Sequence, residues 1–159
     1  FIRLGDIFLS GCLQKNVTTK IFFTPMYNST ALNCQTGFLP IYNKSSEALN
    51  LQSWKYKQLQ FFIHNIEIKT RDNTWQPWVM ETNSYQSNNV ALLGEICGEI
   101  NKQSNWNLEL NSLTKYQDIT DIRFTLGIPF SLNHLNPLTQ ASPLNISSMF
   151  WGWRGGHTV

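Results

Sequence analysis

This sequence predicts an all-β fold, an antiparallel β-sandwich with long irregular loops. Short runs of β-branched and aromatic residues are separated by polar segments rich in turn residues. Within several runs apolar and polar side chains alternate, while no long window carries the roughly 3.6-residue apolar period of an amphipathic helix. With 159 residues, the chain is long enough to bury a core of its own as one domain.

Residues 1–16 show no sustained period and read as a leader remnant or tether, which leaves 17–159 as the domain. Thr19 to Met26 reads as a strand, followed by a turn at Asn28-Ser29-Thr30. Leu59 to Lys69 reads as a second strand. Its alternation assigns Phe62, His64, Ile66 and Ile68 to a core face, with Phe61, Ile63, Asn65, Glu67 and Lys69 opposite. Arg71 to Thr74 makes the next turn, and Trp75-Gln76-Pro77-Trp78 reads as a loop. Trp106, Leu108 and Leu110 alternate with Asn107, Glu109 and Asn111, and Ile122 to Phe130 forms a strand ended by the Pro129 region. Trp151 and Trp153 would point the same way, into the core. The chain opens at Phe1 and stops at Val159 just after an aromatic strand begins, so the domain reads as incomplete at its C-terminal end.

Charge narrows the function. Charged residues are only 14% of the chain and the net charge is +2, which is too weak a field to recruit nucleic acid. No apolar run reaches the ~18 residues that a membrane-spanning helix requires. A phosphate loop, a nucleophile elbow and an HExxH helix are all lacking, and the acids are scattered, so binding is expected rather than catalysis.

The cysteines, Cys12, Cys34 and Cys97, stand singly rather than in zinc-type pairs. Leu9-Ser10-Gly11-Cys12 has the form of a lipoprotein cleavage box, although Arg3 and Asp6 interrupt the apolar stretch such a box needs; lipidation of Cys12 and an ordinary cysteine both stand. With Cys12 set aside, Cys34 and Cys97 are either one disulfide of an exported protein or two buried thiols.

His64, His134 and His157 are the remaining candidate metal ligands. An apolar strand face around His64 favours the neutral ring that a metal ligand must be. His134 follows a strand in Pro-Phe-Ser-Leu-Asn-His-Leu-Asn-Pro, where a loop could carry it over a sheet edge. Two imidazoles without a thiolate suit copper or zinc, and a buried site of low coordination favours Cu(I). The plain alternative is a core histidine at 64 and a loop histidine at 134.

Several segments in order carry a resemblance: Phe61 to Ile68, Asn89-Val90-Ala91-Leu92-Leu93, Phe124 to His134 with its Leu-Gly-Ile-Pro-Phe-Ser-Leu-Asn-His run, Ser142-Pro143-Leu144-Asn145, and Met149-Phe150-Trp151-Gly152-Trp153. From about Thr19 onward the chain resembles the MbnP-like domains, a group that includes the methanotroph surface copper proteins MopE and CorA, with the nearer likeness to CorA. The resemblance implies an exported domain of the periplasm or outer surface of a Gram-negative bacterium. It also implies that one copper ion is bound as Cu(I) for copper acquisition, through His64 and His134, assisted by a kynurenine made from tryptophan. A secreted dihaem enzyme of the MauG type is the implied partner, and Cys34 and Cys97 match the family's paired cysteines. At the position of the modified tryptophan, two residues before the first histidine, this chain has Phe62; Trp54, Trp75, Trp78 and Trp106 are the other tryptophans to inspect. His157 stands where most members have lysine, and a ligand role there is one further reading. The competing expectation is a metal-free extracellular β-sandwich that binds a protein or glycan through its loops, with Trp75 to Trp78 as the contact.

Overall fold

A computed structural model describes residues 17–37, 53–98, 103–112, 118–150, 152 and 155–157. Cys12, Trp151 and Trp153 therefore lie outside the described residues. The strands are β1 (Val17–Phe22), β2 (Met26–Tyr27), β3 (Thr30–Ala31), β4 (Gln58–Thr70), β5 (Trp75–Pro77), β6 (Val79–Met80), β7 (Gln86–Ser87), β8 (Val90–Ile96), β9 (Gln103–Asn105), β10 (Asn107–Ser112) and β11 (Ile119–Leu126). One short helix, α1 (Phe130–Asn133), follows β11. The described pairings are all antiparallel.

A three-stranded sheet, β1-β10-β6, faces a six-stranded sheet of order β11-β4-β8-β7, in which β5 also pairs with β4 and β9 with β8. Leu108, Leu110 and Met80 of the small sheet meet Ile63, Ile66, Ile68, Ala91 and Leu93 of the large one. Each such side chain, once buried, contributes about 1.5–3 kcal/mol. The fold is thus the expected sandwich. The large sheet is covered on its other face as well: Phe62, Val90 and Leu92 lie under Leu144 and Met149, with Ile128, Leu132 and Ile146 beside them. Burial on both sides explains why Phe61-Phe62-Ile63 and Val90-Ala91-Leu92-Leu93 are unbroken apolar runs.

Three expectations need correction. The first concerns the faces of β4. Asn65 adopts φ 51°, and between Arg123↔Glu67 and Thr125↔His64 the pairing with β11 shifts by one residue, so β4 carries a bulge there. The bulge inverts the alternation: Ile63, Ile66 and Ile68 share the sandwich core, while Phe62 and His64 face the other way. The second is that Trp75 to Trp78 is not a loop. Its first three residues pair with β4, and the chain then crosses to the small sheet, with Trp78 in the core at the corner, 4% exposed. The third concerns strand limits. The first strand stops at Phe22, opposite Asn107 where β10 begins, and Met26 opens a separate hairpin whose turn residues Asn28 and Ser29 have positive φ. β11 ends at Leu126 because Gly127, at φ 101°, bends the chain into α1.

Surface ion pairs set an acid limb of stability. Lys20 bonds Glu109 at 2.7 Å across β1 and β10, and Arg123 grips Glu67 through two bonds of 2.6 and 3.0 Å. The hydrogen bond from Lys20 holds Glu109 below the usual carboxylate range, against the opposing effect of burial, and the Arg123 bond does the same for Glu67. Asp72 is held down by Thr70 and Thr74. A depressed carboxylate stabilises the fold fully above the unfolded-state pKa, and this contribution is lost as the pH falls through the folded value. The urea midpoint should therefore drop when neutral protein is acidified into the carboxylate range, and Lys20→Met should make that drop smaller, though only modestly because the pair is at the surface. A midpoint with the same acid limb in the variant would remove Glu109 from this account.

Candidate metal centre

His64 sits on β4 opposite Val90 of β8 and Thr125 of β11. Strand alternation up to the bulge places it on the side of Phe62 and Val90. The residue is 8% exposed, and its Nδ1 is buried with no hydrogen-bond partner. Buried polar atoms are nearly always paired, so an orphaned ring nitrogen is a notable feature. With the ring proton on Nε2, Nδ1 presents a lone pair.

The segment 128–150 covers this same side of the large sheet, anchored by Leu132 of α1 and by Leu144 and Met149. Two hydrogen bonds help to hold it: Ser87 Oγ donates to the Ser142 carbonyl and Ser142 Oγ donates to the Ser84 carbonyl at 2.6 Å. His134 caps the C-terminus of α1 and is exposed, its ring edge-to-face with Phe130 at 5.4 Å. Both candidate ligands thus belong to the Phe62 side of the sheet, one on the strand and one on the covering segment.

His157 is buried there too, but in a different role. Its Nε2 lies 2.9 Å from the Leu144 carbonyl and its Nδ1 3.2 Å from the Asn133 carbonyl, while its backbone N–H donates to Asn133 Oδ1 at 2.8 Å. The ring stands edge-to-face against Phe62 at 5.7 Å and Phe150 at 5.0 Å. Both ring nitrogens face carbonyl oxygens, so His157 braces the residue beside His134 and has no lone pair aimed at a ligand. Gly156 makes this brace possible, since a Cβ there would lie 2.6 Å from Asn133 Oδ1.

The tryptophans separate clearly. Trp78 fills the sandwich core, and Trp106 packs on Phe61, which also borders that core, opposite to Phe62 and His64. Trp75 lies at the surface with the Arg123 guanidinium 4.2 Å from its ring centroid, and Trp54 is exposed. Phe62 is fully buried. A cleft of about 670 Å³ opens where β4 has neither β8 nor β5 beside it, lined by Asn65, Ile66, Trp78, Met80, Asn88 and Asn89. His64 is next to it in sequence but does not line it.

Cys34 and Cys97 form a disulfide with Cα atoms 5.3 Å apart. Such a bond suits an oxidising compartment outside the cytosol. Sequence reading missed the groups around it: Glu95, buried on β8, accepts a hydrogen bond from Tyr56. Burial, with Glu95 adding to it, pushes the Tyr56 phenol up, so Tyr56 remains a donor.

The MbnP family model matches residues 16–159. The chain belongs to the MbnP family. Among solved structures, this MbnP domain is similar to MbnP from Methylosinus trichosporium, with a TM-score of 0.66 and 18% identity, covering 90% of this chain and 53% of that one. At that identity the likeness is one of fold, and the chain spans about half the length of that protein. No curated protein matches the chain. No helix among the described residues is long and apolar enough to cross a membrane.

Proposed function

We propose that this MbnP domain binds copper as Cu(I) through His64 and His134 and serves copper acquisition at the bacterial cell envelope, by binding rather than catalysis. The observation that carries the reading is the buried, unpartnered Nδ1 of His64. It lies on the sheet face that the His134-bearing segment covers, and His157 braces Asn133 beside His134. Two imidazoles, one on the sheet face and one on the covering segment, are a donor set that a low-coordinate Cu(I) site tolerates. Copper in such a site would supply a bound, exchangeable ion.

Membership of the MbnP family and the disulfide support export. A kynurenine ligand from the family's usual position is not available to this chain, because Phe62 stands there. The surface reading through Trp75 and Trp78 keeps only Trp75, since Trp78 is core.

Metal analysis and intact mass, measured together on protein exported to an oxidising compartment, test the proposal. One copper per chain is expected after Cu(I) loading, lost in both His64→Ala and His134→Ala. Affinity should weaken on acidification, because a ligating imidazole must be neutral. An added mass of about 4 Da beyond the sequence and disulfide would reveal a kynurenine and the action of a MauG-type partner. Copper retained in the two variants would refute the two-histidine site.

A further inference from the structure

Glu95 is a carboxylate at 5% exposure, and among the described residues no lysine or arginine pairs with it. Its described side-chain partner is the Tyr56 hydroxyl, which donates to one carboxylate oxygen. One ligand atom from each of Cys34, Glu95 and Cys97 lies within 4.8 Å of the others. A carboxyl group buried beside two sulfurs offers oxygen and sulfur donors to one cation.

We propose that the Cys34–Cys97 disulfide closes a latent zinc site, in which reduction frees two thiolates that bind one Zn²⁺ together with the Glu95 carboxylate. Reduction takes two electrons and two protons from a dithiol reductant, which becomes a disulfide itself, and breaks the S–S bond to give two thiols. Zinc binding then displaces both thiol protons to solvent. Two sulfurs bound to zinc at about 2.3 Å in tetrahedral geometry are about 3.8 Å apart, so the freed thiolates must move apart from bonding distance to take the ion, with the Glu95 carboxylate already within 4.8 Å of both. The Tyr56 hydroxyl would hold one oxygen of Glu95 and leave the other for the ion, the usual arrangement for a ligating carboxylate. The carboxylate makes the site one for zinc rather than a bare dithiol for Cu(I). Both cysteines are half-buried, so a reductant can reach them. Disulfide and zinc exclude each other, which makes the pair a redox-controlled metal site, separate from the histidines and independent of the copper reading.

The test uses the full chain, reduced with dithiothreitol, freed of reductant without oxygen and titrated with Zn²⁺ against a chromophoric chelator. One zinc per reduced chain is expected and none for the oxidised chain. Cys34→Ser should abolish binding, and Glu95→Gln should weaken it by at least the ~10-fold that even an outer-shell group contributes. A His64→Ala, His134→Ala double variant should bind zinc as the parent does. Equal affinity in Glu95→Gln and parent, or in reduced parent and a Cys34→Ser, Cys97→Ser chain, would overturn the proposal. If reduction destabilises the chain without unfolding it, zinc should raise the thermal midpoint of the reduced parent more than that of reduced Glu95→Gln, and equal shifts would overturn the proposal as well.

Discussion

Replacing Gly94 with alanine is expected to cost more than about 4 kcal/mol and leave little soluble protein, a cost at the extreme of single substitutions. Gly94 pairs with Gln60 of β4 on one side and Asn105 of β9 on the other, at φ 120°. A Cβ there would lie 2.0 Å from the Leu59 carbonyl oxygen and 2.6 Å from the Gln60 Cα, both backbone atoms that cannot turn aside. Relief would require β4 and β8 to separate, and that pairing holds both cores of the domain. Gly152 supplies the control: its φ is 124° and among the described residues a Cβ would meet nothing within 4 Å. Gly152→Ala should therefore show only the backbone penalty, about 1–3 kcal/mol. Urea unfolding of the two variants isolates the steric part by subtraction. A Gly94→Ala protein no less stable than Gly152→Ala would mean that β4 and β8 do not meet in this register.

The strands that the sequence made legible were those with one dominant cause. Trp106, Leu108 and Leu110 alternate without interruption, and both leucines are buried where β10 lies between two partners. β4 was legible as a strand but not in its faces, because a bulge is one residue of backbone geometry and leaves the composition unchanged. Asn65 was the signal available, since asparagine tolerates the left-handed conformation better than other residues with a Cβ. The Trp75 segment misled for a related reason. Proline and glutamine between two tryptophans suggest a surface loop, whereas here a three-residue strand ends in a sheet-to-sheet crossing. In the site, His64 and His134 could be named from their neighbours, but the orphaned Nδ1 depends on which groups approach from β8 and β11. The Glu95 cluster was hard to see because, although Glu95 and Cys97 stand two apart in the chain, Cys34 reaches them only through the disulfide and Tyr56 comes from the segment leading into β4.

Gln86→Leu is expected to destabilise the domain by about 3 kcal/mol, from three lost hydrogen bonds at ~1 kcal/mol each, although the Glu109 carbonyl keeps the Glu81 N–H as a donor. Gln86 is 1% exposed on β7, at the edge of the large sheet, and reaches the backbone of the small one. Its Nε2 donates to the Glu81 carbonyl at 2.6 Å and also to the Glu109 carbonyl, and its Oε1 accepts from the Glu109 N–H at 3.0 Å. Leucine fills the volume, so the loss reports the polar contacts rather than a cavity. The urea midpoint should fall while the denaturant slope stays constant. Gln86→Glu separates this account from general damage. A carboxylate there would face two carbonyl oxygens in a buried position, which disfavours the charged form and raises its folded pKa above the unfolded value. Its stability should therefore be best below the unfolded pKa and decline as pH rises through the folded one. The parent, whose carboxylates Glu67, Asp72 and Glu109 are all depressed, should slope the opposite way over the acid range. A stability gap between parent and Gln86→Glu that does not widen as pH rises through the carboxylate range would show that the carboxamide does not bridge the two sheets.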